Sequence, residues 1–435
     1  MVAAMAARGV HAIGVDSDAA KVEIIGQGLP PVFEPRLAET LILAQGRLTA
    51  TQSVEDAVRD SDITFIVVAT PADADGSFSL RYVLPVCEAI GRALASKPEY
   101  HVVALTSTVM PGSTGGDVRE TLEKASRKRA GTDFGLCYSP EFIALGSVIR
   151  DFLNPDLLLI GESDERAGAL LESLYRSVCE NRPPVARMNL VNAEIAKLAV
   201  NTYVTTKISF ANMLAGLCEK VPGASVDAVT GAIGLDSRIG GKYLKGAISY
   251  GGPCFPRDNL ALIALADRVG ASSDLPRATH EFNRAQIQRL ADTVEEYLAS
   301  DEAAGILGLT YKPNTDVTEE AAGLLLAQEL ARRKIRTVAF DPEGHARAAS
   351  SFGDGIRLAA SAEECIAQCG VVVLATPWPE FLAIPGERWA RNSSPRVVID
   401  CWRVLKHLES AEGIRYLGLG IGVVREGSFA GGVAQ

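Results

Sequence analysis

The stretch GGPCFPRDN, residues 251–259, sets a cysteine behind two glycines and a proline and places an acidic residue, Asp258, four positions after it. Glycine lets a backbone come close to another surface and proline fixes a turn, so Cys254 is either a packed thiol or a nucleophile displayed on that turn. Packed cysteines sit in apolar strands or helices, the settings that Cys137 and Cys218 occupy in the sequence. Cys254 has no such setting. Further upstream, NAEIAKLAVN carries Lys197 and Asn201 four residues apart, the spacing that puts two side chains on one face of a helix. Their neighbours Ile195, Ala196, Leu198, Ala199 and Val200 are apolar, which speaks against the plain alternative of a solvated stripe. A lysine and an amide aimed at one oxygen stabilise a developing oxyanion. Joined to a thiolate, they point to chemistry at a carbonyl.

The elements that must hold these residues alternate in two blocks. HAIGVD, DITFIVVATP, HVVALTST, FGLCYSP and DLLLIGE form the first; AGILGLTYK, RTVAFDP, VVVLATP and RVVIDCW form the second. Short, nearly continuous apolar runs separated by helical patterns predict parallel sheets covered on both faces. The fold class is therefore α/β, with two Rossmann-like doubly wound domains joined by a central helical domain. The boundaries fall at 1–187, 188–299 and 300–435. Within the central part, residues 190–221 contain no Gly or Pro before Gly216, which predicts either one helix about 48 Å long, at about 1.5 Å per residue, or two shorter helices broken near that glycine. A single long helix would offer a surface for dimerisation.

Composition limits the partners. With 435 residues the chain exceeds what one core supports, and 47% hydrophobic with 22% charged residues excludes a disordered chain. A formal charge of −10 argues against a nucleic-acid surface, and no apolar run is long enough to span a membrane. The opening MVAAMAARG lacks the pattern of a cleaved leader. Eight scattered cysteines without a CxxC pair or zinc-site spacing predict reduced thiols, no metal and a cytoplasmic protein. The sequon Asn392-Ser393-Ser394 is then a chance match.

The two blocks align without gaps over MVAAMAARGVHAIGVD (1–16) and LAQELARRKIRTVAFD (326–341). In the second block a strand and loop, AGILGLTYKPNT, precede the helix; the first block begins inside the corresponding helix. The first strand and the G-x-G-x-x-G turn that would cradle a pyrophosphate are absent from the sequence, and cofactor affinity is expected to fall. Asp16, ending its strand, can accept hydrogen bonds from a ribose 2′-hydroxyl, favouring NAD over NADP, or can act as a structural cap. LGLGIG (417–422) reads as a tail turn.

GGPCFPRDN, AEIAKLAVN, STVMPGS, SPEFIALG, GLTYKPNTD and SRIGGKYLKGA, in their order along the chain, resemble the UDP-glucose/GDP-mannose dehydrogenases from Met1 to about residue 410. The resemblance implies oxidation of a nucleotide-sugar alcohol at C6 to a carboxylate with two NAD per substrate. Cys254 would trap the aldehyde and become a thioester, with Lys197 and Asn201 holding the oxyanions. Asp258 would orient or activate water, Glu141 of SPEF would be the base for hydrolysis, and Thr108 of STV would help to hold a water. Arg238, Tyr243, Lys245, Tyr250, Gly251, Lys312 and Arg403 would contact the substrate, with Arg238 supplied by the neighbouring subunit of a homodimer. Asp16, Lys21, Thr70 and Thr108 make up the cofactor side.

Two positions depart from the family pattern on the nicotinamide side: Leu145 stands where a glutamate is frequent, and Glu319 where an arginine is usual. The substrate expected is a UDP-hexose such as UDP-glucose; a UDP-N-acetylhexosamine or GDP-mannose is the alternative. A simple hydroxyacid dehydrogenase would share Lys-x-x-x-Asn but need no cysteine. The missing glycine turn leaves two explanations open, a start assigned too far downstream or a non-catalytic nucleotide-sugar binder.

Overall fold

The computed structural model describes residues 1–352, 355–391 and 394–423, so Asn392 and Ser393 of the sequon lie outside the described residues. The chain divides into two compact units: Met1–Val200 with Ala261–Ser272, and Asn201–Leu260 with Ser273–Gln435.

The first unit contains seven strands: β1 (Ala12–Val15), β2 (Leu48–Thr51), β3 (Ile63–Ile66), β4 (Val102–Leu105), β5 (Gly135–Tyr138), β6 (Leu158–Glu162) and β7 (Val185–Asn189). They form two sheets, β1-β2 and β3-β4-β5-β6-β7. The middle of the larger sheet, VVAL and GLCY, is buried on both faces, and apolar runs of this kind pair in parallel, Val102 opposite Ile63 and Gly135 opposite Val102. One pairing differs from the all-parallel expectation: β6 runs antiparallel to β5, with Cys137 opposite Glu162. The link between them, residues 139–157, holds only the six-residue helix Val148–Leu153. It does not cross the sheet face, and so remains at the carboxyl end of β5.

The second unit has β8 (Ala304–Leu307), β9 (Thr337–Phe340), β10 (Ile356–Leu358), β11 (Val371–Leu374), β12 (Arg396–Asp400) and β13 (Ile414–Gly418), all parallel, in the order β10-β9-β8-β11-β12-β13. The aligned halves of the two blocks fold alike: helix Val2–Ala7 leads into β1 and Asp16, helix Ala322–Arg332 into β9 and Asp341. In the second unit β8 lies between β9 and β11. Among the described residues no ladder joins β1 to β3. The LGLGIG segment is not merely a tail turn, because Leu417 and Gly418 end the edge strand β13.

Three long helices complete the chain: α1 (Leu190–Lys220), α2 (Phe255–Val269) and α3 (Asp274–Tyr297). α1 continues through Gly216 as one helix of 31 residues, about 46 Å at about 1.5 Å per residue. Its burial pattern is inverted over the second half. Asn201, Thr205, Ser209 and Asn212 are buried, while Tyr203, Phe210, Met213 and Leu217 are exposed.

Candidate active site

In the second unit the site is built on α1 and the first turn of α2. Asn201 donates through Nδ2 to Asp258 Oδ2 at 2.6 Å, and Arg257 Nη2 approaches Oδ1 at 3.4 Å, so a carboxylate only 1% exposed has partners on both oxygens. The Asp258 N–H donates to Cys254 O at 2.8 Å, which places Cys254 immediately before α2, at the end of a helix where a negatively charged sulfur is favoured. Cys254 is exposed and the other seven cysteines are buried. Burial pushes the Cys87 and Cys137 thiols up to about 12, leaving them protonated and inert near neutral pH.

The chain around Cys254 is packed from three sides. The Phe255 ring stands edge-on to Tyr243, at 6.0 Å, and to Tyr250, at 6.3 Å. Burial raises the Tyr250 phenol to about 12. At Gly251 a Cβ would lie 2.0 Å from Glu320 O, and at Gly252, with φ +85°, 2.7 Å from the Tyr311 ring; the Gly252 N–H donates to Glu319 O at 3.0 Å. Gly251 is therefore demanded by the turn at residues 319–320, which docks on the cysteine segment, and Gly252 by its left-handed backbone and the Tyr311 ring. Glu319 takes part through its backbone, and its side chain is exposed. Lys312 Nζ lies 5.7 Å from the centroid of the same Tyr311 ring, which brings the TYKPN loop beside Gly252.

Three expected substrate residues sit differently. Arg238 is 86% exposed and paired with Asp236 at 2.6 Å, its side chain directed into solvent. Lys245 is exposed and contributes positive charge at Asp227. Arg403 is buried: its guanidinium donates to both Asp227 oxygens at 2.8 and 2.9 Å, and to Gly246 O, Cys401 O and Leu419 O. A group so fully committed to protein acceptors acts as a tie between segments, which the sequence could not distinguish from a ligand contact.

In the first unit, Lys197 Nζ donates to Glu141 O at 2.7 Å and lies 4.5 Å from the centroid of the Phe142 ring. Glu141 Oε1 is buried without a hydrogen-bond partner among the described residues. Burial raises the Glu141 carboxyl, offset in part by the chain's amino group and the Lys197 ammonium. A buried carboxyl left unsatisfied is unusual and suits a proton acceptor more than a brace. Leu145 is partly exposed on the same loop. At the carboxyl ends of β3 and β4, Thr70 Oγ1 donates to Thr108 O at 2.7 Å and Ser107 Oγ to Val68 O at 2.6 Å, joining the two loops. Asp16 follows β1 with its side chain 39% exposed, 3.6 Å from Lys21 Nζ. Its counterpart Asp341 is wholly buried and accepts from Leu309 N–H, Thr310 N–H and Gly344 N–H. Only the first of these matched carboxylates is left available to a ribose, so the residues present fit NAD at its ribose end.

Two carboxylates absent from the sequence reading hold these loops. Glu34 accepts from Gly146 N–H and Val148 N–H, both at 2.9 Å, fixing the loop that carries Glu141. Glu194, wholly buried on α1, accepts from Gly112 N–H at 2.6 Å and Thr114 N–H at 2.8 Å, behind Thr108. A charged residue inside the apolar run of α1 was the available signal for Glu194; nothing in its spacing marks Glu34. Among the described residues no group of His, Cys, Asp and Glu is arranged to hold a metal, and no helix is long and apolar enough to cross a membrane.

Comparison with known proteins matches residues 1–179 to the NAD binding domain of the UDP-glucose/GDP-mannose dehydrogenase family, residues 191–285 to its central domain and residues 305–407 to its UDP binding domain. The chain belongs to this family. Among its relatives, the UDP-glucose 6-dehydrogenase AglM of Haloferax volcanii is 35% identical over 414 residues, 94% of this chain and 95% of the relative. The GDP-mannose 6-dehydrogenase of Azotobacter vinelandii is 32% identical over 391 residues, 87% of this chain and 88% of the relative. The structure of a UDP-glucose dehydrogenase from the hyperthermophilic archaeon Pyrobaculum islandicum superposes with a TM-score of 0.87 at 33% identity, covering 97% of this chain and 94% of that one. As a member, this chain is an NAD-dependent oxidoreductase of nucleotide sugars.

Proposed function

We propose that this chain oxidises UDP-glucose, or a close UDP-hexose, at C6 to the uronic acid through a covalent intermediate on Cys254. The observation that carries the reading is Cys254 itself: the one exposed thiol among eight, placed at the start of α2 with Asp258 one turn on and held by Asn201. NAD supplies a hydride acceptor for each of the two oxidations. After the first, the Cys254 sulfur adds to the aldehyde carbon to give a thiohemiacetal, which keeps the aldehyde from escaping. Loss of the second hydride makes the thioester, and water, deprotonated by Glu141, cleaves it to carboxylate and free thiol. Lys197 and Asn201 hold the negative oxygen at each addition. Asp258 orients the water and Thr108 helps to hold it.

On this reading residues 1–187 bind NAD with Asp16, Lys21, Thr70 and Thr108, residues 188–299 carry the cysteine, and residues 300–435 bind the nucleotide sugar. Tyr243, Lys245, Tyr250, Gly251 and Lys312 meet the substrate. The exposed apolar side of α1 pairs with a second copy, and Arg238, exposed on the surface beside Asp236, reaches a neighbour's substrate. The product serves surface polysaccharide synthesis in the cytoplasm, where the eight cysteines stay reduced.

Counting NADH per sugar tests the proposal. The wild type yields two per UDP-glucose and Cys254→Ala none beyond the first oxidation; acid formation by that variant at the wild-type rate overturns the role of the cysteine. A panel of UDP- and GDP-sugars identifies the base and hexose, and GDP-mannose preferred over every UDP-sugar would replace the substrate assigned here.

A further inference from the structure

Asparagine is disfavoured inside helices because its short amide competes for backbone hydrogen bonds. Yet Asn212 lies well inside α1 and Asn283 well inside α3, 1% and 7% exposed. Both carboxamides are spent on one segment. Asn212 Nδ2 donates to Ile248 O and its Oδ1 accepts from Ala247 N–H, each at 2.8 Å. Asn283 Oδ1 accepts from Tyr250 N–H at 2.9 Å and its Nδ2 donates to Tyr250 O at 3.0 Å. Each side chain thus offers the donor and acceptor pair that a neighbouring strand would.

The segment needs such partners. Residues 246–250 are all buried but form neither helix nor strand, and backbone groups removed from water must be paired. Arg403 supplies one further bond, to Gly246 O at 2.6 Å, and at Gly246 a Cβ would lie 2.5 Å from Ala211 O, so the segment is pressed against α1. Its end, Tyr250, is four residues before Cys254. Asn201 and Asn212 are eleven residues apart on α1, about three turns, and project within about 20° of one face. The same helix therefore holds Asp258 through one asparagine and the segment leading to the cysteine through another.

We infer that Asn212 and Asn283 are positioning residues for the nucleotide sugar: they fix residues 246–250 so that Lys245, Tyr250 and Gly251 meet the substrate in register with Cys254. The identification of the segment as substrate-binding rests on the proposed function; the clamp itself does not. Aspartate is the informative replacement, since it keeps the acceptor, has nearly the same shape, and sets a carboxylate oxygen against Ile248 O or Tyr250 O.

Asn212→Asp and Asn283→Asp, each in the full chain, should raise the KM for UDP-glucose tenfold or more while the KM for NAD stays within twofold. Amide hydrogen exchange over residues 246–251 should quicken by at least tenfold in both. Gln286→Ala is the control, a buried α3 residue bonded to Phe282 O of its own helix, which should lower Tm without moving the sugar KM. Aspartate variants that lose Tm but keep exchange and sugar KM within twofold of the wild type overturn the inference. If the wild type oxidises no nucleotide sugar, the proposed function fails and exchange alone decides the clamp. If neither variant folds, the wild type still decides: the Ala247 and Tyr250 amides must exchange as slowly as those inside α1, and fast exchange refutes the clamp.

Discussion

Glu141 is the titratable group of the first unit on which the proposed hydrolysis depends. Burial favours its neutral form, so its folded pKa lies above the ordinary carboxylate range, and Lys197 only partly restores the charge. A base must be ionised to work, so the acid limb of the rate profile for thioester hydrolysis should lie above the usual carboxylate pKa and disappear in Glu141→Gln, whose acid production should fall at least about 100-fold. A limb unchanged in that variant would reassign the base. The stability sign is the reverse of the activity sign. A carboxyl with a raised pKa binds its proton more readily in the folded state, so its contribution is fullest at acid pH and is lost as pH rises through the folded pKa. Arg36 carries strain of another kind, standing at φ +68° before the helix Leu37–Leu43, with no side-chain hydrogen bond to that helix. A left-handed conformation costs a non-glycine residue about 1 kcal/mol, so Arg36→Gly should raise the urea midpoint slightly, and a lowered midpoint would show that the arginine side chain earns its place.

The elements differ in how plainly the sequence announces them. β4, β8 and β11 read as VVAL, AGIL and VVVL because central strands are buried on both faces. β2, β7, β10 and β13 went unread, and all four are outer strands of their sheets. Their residues are at most half-buried, and LTAT, VARMN, IRL and IRYLG mix polar with apolar residues. The length of α1 was legible apart from the question at Gly216, but its inverted faces were not, since a sequence gives the spacing of a stripe without saying which stripe is buried. That inversion has a consequence. A soluble monomer has no reason to expose Tyr203, Phe210, Met213 and Leu217 along one helix. The wild type should sediment as a dimer and Phe210→Glu as a monomer with unchanged far-UV circular dichroism; a monomeric wild type would remove the proposed interface.

Over the whole molecule, the chemistry was easier to recognise than the scaffolding. Cys254 and Asp258 stand in a turn whose glycines and prolines single it out, and Lys197 and Asn201 share a helical spacing, so types and intervals were enough to nominate them. Glu34, Asn212 and Asn283 were invisible, and Glu194 was marked only by its charge inside an apolar run, because each binds backbone N–H or C=O groups far away in sequence, and backbone leaves no residue-type signal at the other end. Arg403 was misread for a related reason: spacing identifies a guanidinium but not the acidic and carbonyl partners that absorb it. The proposed function rests on the capture of the sugar's C6 carbon by the Cys254 sulfur. Intact-mass and peptide spectrometry of the Glu141→Gln chain, quenched after mixing with UDP-glucose and NAD, measures that event directly. A stoichiometric adduct of the sugar nucleotide is expected on the peptide containing Cys254, lost in the Cys254→Ala double variant. An unmodified peptide in a chain that nevertheless completes both oxidations would contradict it.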